Sequence, residues 1–155
     1  MCGGRVLRGK ILMNNPAKVN ILLVDDDDVA AESVVRSLRK NTIDFPITLA
    51  RDGVEALEIL RRSHTDLSIE KPYLILLDLN MPRMDGFEFL QEIRNDKDLH
   101  DSIVFVLTTS DFDSDKTRAY NENIAGYMVK SAVGPQFAKL ATLLDNYRST
   151  IALPT

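Results

Sequence analysis

Residues 73–78 read Tyr-Leu-Ile-Leu-Leu-Asp, an unbroken apolar run that ends in a carboxylate. Alternating apolar and polar residues would mark a strand with one wet face. A continuous run marks a strand buried on both faces, as in a parallel sheet covered by helices. The same form recurs at Val19–Val24 (VNILLV), which ends at Asp25 and Asp26, and at Ile103–Leu107, which ends at Thr108. Gly126–Val129 is a further short strand, and it ends at Lys130. Ligands of open α/β sheets bind at the carboxyl edge of the strands. Three carboxylates and one ammonium on such an edge describe a site for a divalent cation and a phosphoryl group.

The segments between these runs read as helices and turns. Asp27 or Asp28 suits the cap of a first helix, with Ala31, Val34, Val35 and Leu38 on its apolar face. Ile47–Ala50 is a short second strand. Asp52 and Glu55 have the spacing of a capping box for a second helix, with Val54, Leu57, Leu60 and the stem of Arg61 turned inward. Ser63–Pro72 has no pattern and is expected to be a surface loop. Residues 80–86 form a turn into a third helix carrying Phe87, Leu90 and Ile93, and a fourth helix is expected over residues 113–123. Pro135 suits the first position of a last helix, whose stripe is Phe137, Leu140, Ala141, Leu144 and Tyr147. Five strands alternating with five helices predict a three-layer α/β sandwich, a five-stranded parallel sheet with helices on both faces. Right-handed crossovers favour strand order 2-1-3-4-5, which sets the first and third strands side by side and brings Asp25, Asp26 and Asp78 together.

The chain has 155 residues, 45% hydrophobic and 27% charged, a globular balance for one domain. A formal net charge of -4 argues against nucleic acid as the main partner. Cys2 stands alone, so no internal disulfide forms and a reducing compartment such as the cytoplasm is expected. His64 and His100, far apart and without a cysteine partner, make no zinc site. No apolar stretch approaches the roughly 20 residues of a membrane helix. Residues 1–18 carry Arg5, Arg8, Lys10 and Lys18 and no acid. They read as a flexible basic extension, and Met13 is an alternative native start; residues 19–148 would form the domain and 149–155 a tail.

The chemistry follows from charge. Two carboxylates about 4 Å apart repel by roughly 4 kcal/mol at an effective dielectric near 20, so a pocket of three calls for a cation. Hard oxygen ligands, few of them from protein, suit magnesium better than calcium. A carboxylate beside such an ion can attack phosphorus and form an aspartyl phosphate. Lys130 would meet the incoming anion and Thr108 would donate a hydroxyl hydrogen bond to it. Each group also has a plainer reading: Asp25–Asp28 as helix-capping acids, Lys130 as a salt bridge to Asp78, Thr108 as a turn residue, and Tyr127 as aromatic packing. Asp111, Asp113, Asp115 and Glu122 imitate a calcium loop, but Lys116 stands where that loop needs glycine.

The motifs LLVDDDD (22–28), LLDLNMPRMDG (76–86), VFVLTTS (104–110) and GYMVK (126–130), in that order, resemble the receiver domain of two-component response regulators. The resemblance covers about Val19 to Arg148, and its wording is most similar to single-domain regulators paired with bacterial phytochrome kinases. It implies the flavodoxin-like receiver fold, with Asp78 accepting a phosphoryl group from a sensor histidine kinase, a bacteriophytochrome among the candidates, or from a histidine phosphotransfer protein. Asp26, Asp78 and the Asn80 carbonyl would ligate Mg2+, with Asp25 acting through water. Lys130 would bridge carboxylate and phosphoryl oxygen. Thr108 and Tyr127 would switch the surface of the fourth helix, fifth strand and fifth helix for docking or phosphorelay.

Two departures from the family pattern stand out: Ser131 follows Lys130 where proline is usual, and Asn123 replaces the glycine that ends the fourth helix. A haloacid-dehalogenase-type phosphatase would want a second acid where Asn80 stands, and a pseudo-receiver would not need the full acid set. The reading is therefore a signalling switch rather than an enzyme with turnover. The few residues beyond Tyr147 are too short for a DNA-binding domain, so output is expected through docking, dimerisation or onward transfer, with Leu143 and Ile151 as candidates for an apolar dimer seam.

Overall fold

The computed structural model describes residues 19–40, 45–130 and 142. The elements are β1 (Asn20–Val24), α1 (Asp28–Lys40), β2 (Ile47–Ala50), α2 (Gly53–Leu60), β3 (Tyr73–Leu77), α3 (Gly86–Asn95), β4 (Ile103–Thr108), α4 (Asp113–Tyr120) and β5 (Gly126–Val129). The strands form a five-stranded sheet in the order β2-β1-β3-β4-β5. Every pairing is parallel. The expected topology therefore holds.

Successive strand residues point to opposite faces, and the core divides accordingly. Ile21 and Leu23 of β1, Leu74 and Leu76 of β3, and Phe105 and Leu107 of β4 pack on one face with Ala31, Val34 and Leu38 of α1. Leu22, Val24, Ile75, Leu77, Val104 and Val106 face the other way, against Leu57 and Ile59 of α2, Phe89 and Leu90 of α3, and Ala119 of α4. This is why β3 has no polar residue: all five of its side chains are buried. Each such Leu or Ile stabilises the fold by about 1.5–3 kcal/mol through area removed from water.

Local signals fared unevenly. Asp27 caps α1, its Oδ1 accepting from the backbone N–H groups of Val29 and Ala30. Asp52 caps α2 by accepting from the Glu55 N–H. The reciprocal half of the expected box differs, because the Glu55 carboxylate accepts from the Arg51 N–H instead. A complete capping box occurs at Asp85 and Glu88, which head α3. The Arg61 guanidinium reaches outward and donates to Asp96. The loop after α2 is pinned by His64, whose Nδ1 accepts from the N–H groups of Asp66 and Leu67 while Nε2 meets Glu55.

The fourth helix stops at Tyr120, short of the expected Asn123, and Asn123 takes a left-handed backbone (φ 59) beyond it. Arg94 fastens that turn to the rest of the fold, donating to the carbonyls of Glu122 and Asn123 as well as those of His100 and Ser102. The basic head (1–18), the last helix from Pro135, the Lys130–Ser131 peptide and the seam candidates Leu143 and Ile151 lie outside the described residues.

Gly86 opens α3 against the end of β3. A Cβ there would lie 2.6 Å from the Asp78 carbonyl oxygen and 2.7 Å from Leu79 Cα, both backbone atoms that cannot yield. Helix propensity alone favours Gly86→Ala by about 1 kcal/mol. The collision should reverse that sign, so urea unfolding of Gly86→Ala is expected to show a net loss of about 1–3 kcal/mol. A stabilised variant would show that α3 can move off the β3 end.

Candidate functional site

The site arises from register. Val24 of β1 pairs with Leu77 of β3, so the next residues, Asp25 and Asp78, leave adjacent strands side by side. Backbone bonds carry the ladder past the strand ends: the Asp78 N–H donates to Val24 and the Asp25 N–H to Ala50, each at 2.9 Å. Asp25, Asp78 and Thr108 are buried, whereas Asp26 is exposed at the mouth. One oxygen from each of Asp25, Asp26 and Asp78 lies within 4.8 Å of the others. The carboxyl edge thus gathers the three acids that the strand endings marked.

Lys130 reaches this cluster from the end of β5. Its Nζ is 2.6 Å from Asp25 Oδ2 and 3.8 Å from Asp78 Oδ2. The nearer partner is Asp25, not Asp78 as the plainer sequence reading had it. Asp25 is then fully used, because its other oxygen accepts from the Asp27 N–H at 3.0 Å. Asp78 is left with less: Lys130 attracts it from 3.8 Å, and the nearby Thr108 hydroxyl and Asn80 N–H favour its charged form a little further. Burial outweighs these and, with the charge on Asp25 adding to it, pushes the Asp78 carboxyl up to about 6. Of the two buried acids, Asp78 is the less compensated among the described residues.

Thr108 is fully buried, and its Oγ1 accepts from the Ser110 N–H at 3.4 Å. Tyr127 pairs with Val106 across the β4–β5 ladder. Its hydroxyl donates to the Ser110 carbonyl at 2.9 Å, and the Ser110 hydroxyl bonds Asp115 in the first turn of α4. The loop after Thr108 is therefore tied to both β5 and α4. Asn80 is exposed beside Asp78. The Asp111–Asp115 acids form no calcium loop: Asp111 pairs with Lys116, and Asp113 and Asp115 lie in the first turn of α4.

The donor set fits a hard divalent ion. Three carboxylates sit in mutual reach, protein oxygens are few, and one lysine offsets only part of the charge. The sequence reading took Asp52 only as a helix cap and gave Arg83, Met84, Gly53 and Gly86 no part in the site. Arg83 forms a two-point pair with the buried Asp52, Nε to Oδ2 at 2.6 Å and Nη2 to Oδ1 at 3.0 Å. The only hint in the sequence was a lone arginine inside an otherwise turn-like stretch.

Comparison with known proteins agrees with this geometry. The family described as the response regulator receiver domain matches residues 21–142. Response regulator Rcp1 of Synechocystis sp. is 36% identical over 91% of this chain and 96% of its own length. The crystal structure of the phosphorylated cyanobacterial phytochrome response regulator RcpA superposes with a TM-score of 0.76 at 34% identity, covering 90% of this chain and all of that one. The Mn2+-bound form of Rcp1 gives 0.73 at 34% identity, over 88% of this chain and 99% of that one.

The raised carboxyl of Asp78 has a sign that can be checked. Below about pH 4 it is protonated in folded and unfolded chains alike and contributes nothing. As pH rises through about 6 the unfolded chain has already released the proton while the folded one is forced to, so stability is lost over that window. Asp78→Asn should therefore stabilise the metal-free protein by about 1–2 kcal/mol at pH 7.5, after allowance for solvent screening, and by nothing below about pH 4. Urea titrations at the two pH values measure this; equal stabilities at pH 7.5 would remove the argument.

Proposed function

The chain belongs to the response regulator receiver family, and we propose that Asp78 is its phosphoacceptor, loaded by a histidine-phosphorylated partner. One observation carries this: Asp78 is the buried acid of the cluster held 3.8 Å from Lys130, with no closer ion pair among the described residues. An Asp78 oxygen attacks phosphorus, the new O–P bond forms, and the P–N bond to imidazole breaks with its electron pair passing to nitrogen. Asp26, Asp78 and the Asn80 carbonyl, with Asp25 behind them, would hold Mg2+, whose charge would offset that of the phosphoryl oxygens.

The chain's own groups do the rest. Lys130 shifts part of its contact from Asp25 to a phosphoryl oxygen, and the Thr108 hydroxyl turns toward the same group. Thr108 movement pulls on the Ser110 segment, which frees the Tyr127 hydroxyl to turn inward. About two added charges thereby bias the surface of α4, β5 and the expected last helix toward partner docking or onward transfer. The similarity to a cyanobacterial phytochrome response regulator supports a phytochrome-type sensor kinase as the donor, with a phosphotransfer protein as the other candidate. Magnesium as the resident ion, a cytoplasmic location, a homodimer and action through protein rather than nucleic acid or membrane complete the proposal. No helix among the described residues is long and apolar enough to cross a membrane.

We take the protein to be a switch without substrate turnover. The phosphatase alternative lacks its second acid, since Asn80 stands in that place. Incubation with a small phosphodonor and Mg2+ should add one phosphoryl group to the wild type and none to Asp78→Asn. Lys130→Ala should slow the transfer by about 10²–10³-fold, as for loss of a preorganised charge at a reacting oxygen. Intact-mass measurement reads both. Labelling of Asp78→Asn, or sustained hydrolysis of phosphomonoesters, would contradict the proposal.

A further inference from the structure

Arg83 holds a left-handed backbone (φ 64), a conformation unfavourable for a side-chain-bearing residue that persists only where its surroundings impose it. What imposes it is visible. The guanidinium grips both oxygens of Asp52, whose carboxylate is buried while Arg83 itself is 61% exposed. Asp52 does not need this partner as a helix cap, because it already accepts from the Glu55 N–H. An exposed arginine does not need it either, being well solvated without it. The pair nevertheless fixes the course of the chain between β3 and α3.

Beyond Arg83 the left-handed turn lays Met84 on the start of α2. A Cβ on Gly53 would lie 2.9 Å from Met84 Cγ and Sδ, and the Gly53 N–H points at the Met84 carbonyl at 3.4 Å. On the other side the Gly86 N–H donates to the Leu79 carbonyl at 2.9 Å and closes the loop at its base. The segment from Asn80 to Pro82 is thus held at its base by Gly86 and at its far end by Asp52. Asn80, the first residue of that segment, is exposed two positions beyond Asp78, with its backbone N–H near the Asp78 carboxyl.

We propose that Arg83, through Asp52, is a positioning residue for the divalent-ion site: it locks the loop carrying Asn80 to the N-terminus of α2. The inference rests on the metal-binding reading above. Removing the pair leaves the carboxylates in place but lets the Asn80 segment stray.

Three single variants of the full chain, and the double variant Arg83→Gly with Asp52→Asn, test this. Arg83→Gly removes the pair and relieves the backbone conformation, Arg83→Lys keeps the charge without the two-point grip, and Asp52→Asn keeps the cap oxygen. Mg2+ affinity by calorimetry, amide hydrogen exchange at Asn80, and the metal-free melting temperature are measured together. Arg83→Gly and Asp52→Asn should each weaken Mg2+ binding by about tenfold, the lower end for loss of an outer-shell partner. Arg83→Lys should fall between them and the wild type. Exchange at Asn80 should quicken in proportion to affinity, and the double variant should lose no more than either single one. Unchanged Mg2+ affinity with altered melting would reduce the pair to a stability element and overturn the proposal, as would additive losses in the double variant. A wild type that binds no Mg2+ would sink the metal reading itself, which separates that failure from this one.

Discussion

Crowding of negative charge at the end of the buried strands governs this molecule. Asp25 and Asp78 are neighbours because β1 and β3 are paired in register, and no side-chain adjustment can separate residues fixed by backbone bonds. Two such charges repel by several kcal/mol at intermediate dielectric. The fold relieves this unequally: Asp25 receives Lys130 and a backbone N–H, and Asp78 is left buried with its proton held up to about 6. The imbalance is what a cation and a phosphoryl group would correct, so a liability of the resting chain is also its means of responding.

The connections around the site share one logic. Thr108, Ser110, Tyr127 and Asp115 form a chain of hydrogen bonds from the pocket to α4 and β5. Arg83 and Asp52 join the loop after β3 to α2. Both linkages depend on side chains that can exchange partners, while the sheet beneath them is dry and closely packed. A local change of charge therefore has defined paths along which to act. The rigid part sets distances, and the polar periphery carries the change.

The fold was legible because burial on both faces strips polar residues from β1, β3 and β4, leaving runs that can hardly be misread. β2 and β5 were found from their place between turns rather than from their side chains. The fourth helix was overextended because α4 buries only Ala119 and has no apolar stripe to mark its end. The acids, Thr108 and Lys130 were legible since each lies at the carboxyl end of a strand. The Arg83–Asp52 pair was not, because it joins two turns whose meeting depends on how α2 and α3 pack, which no local pattern encodes. Lys130's preference for Asp25 over Asp78 was hidden for the same reason: sequence order gives the edge but not the distances across it.

The most direct measurement is a crystal structure of the protein grown with Mg2+ and fluoroberyllate. The account predicts the ion about 2.0–2.1 Å from oxygens of Asp26 and Asp78, the fluoroberyllate on the Asp78 carboxylate, and Lys130 Nζ moved from Asp25 toward the fluorines. An ion bound away from these carboxylates, or a fluoroberyllate group seated on any other residue, would contradict it.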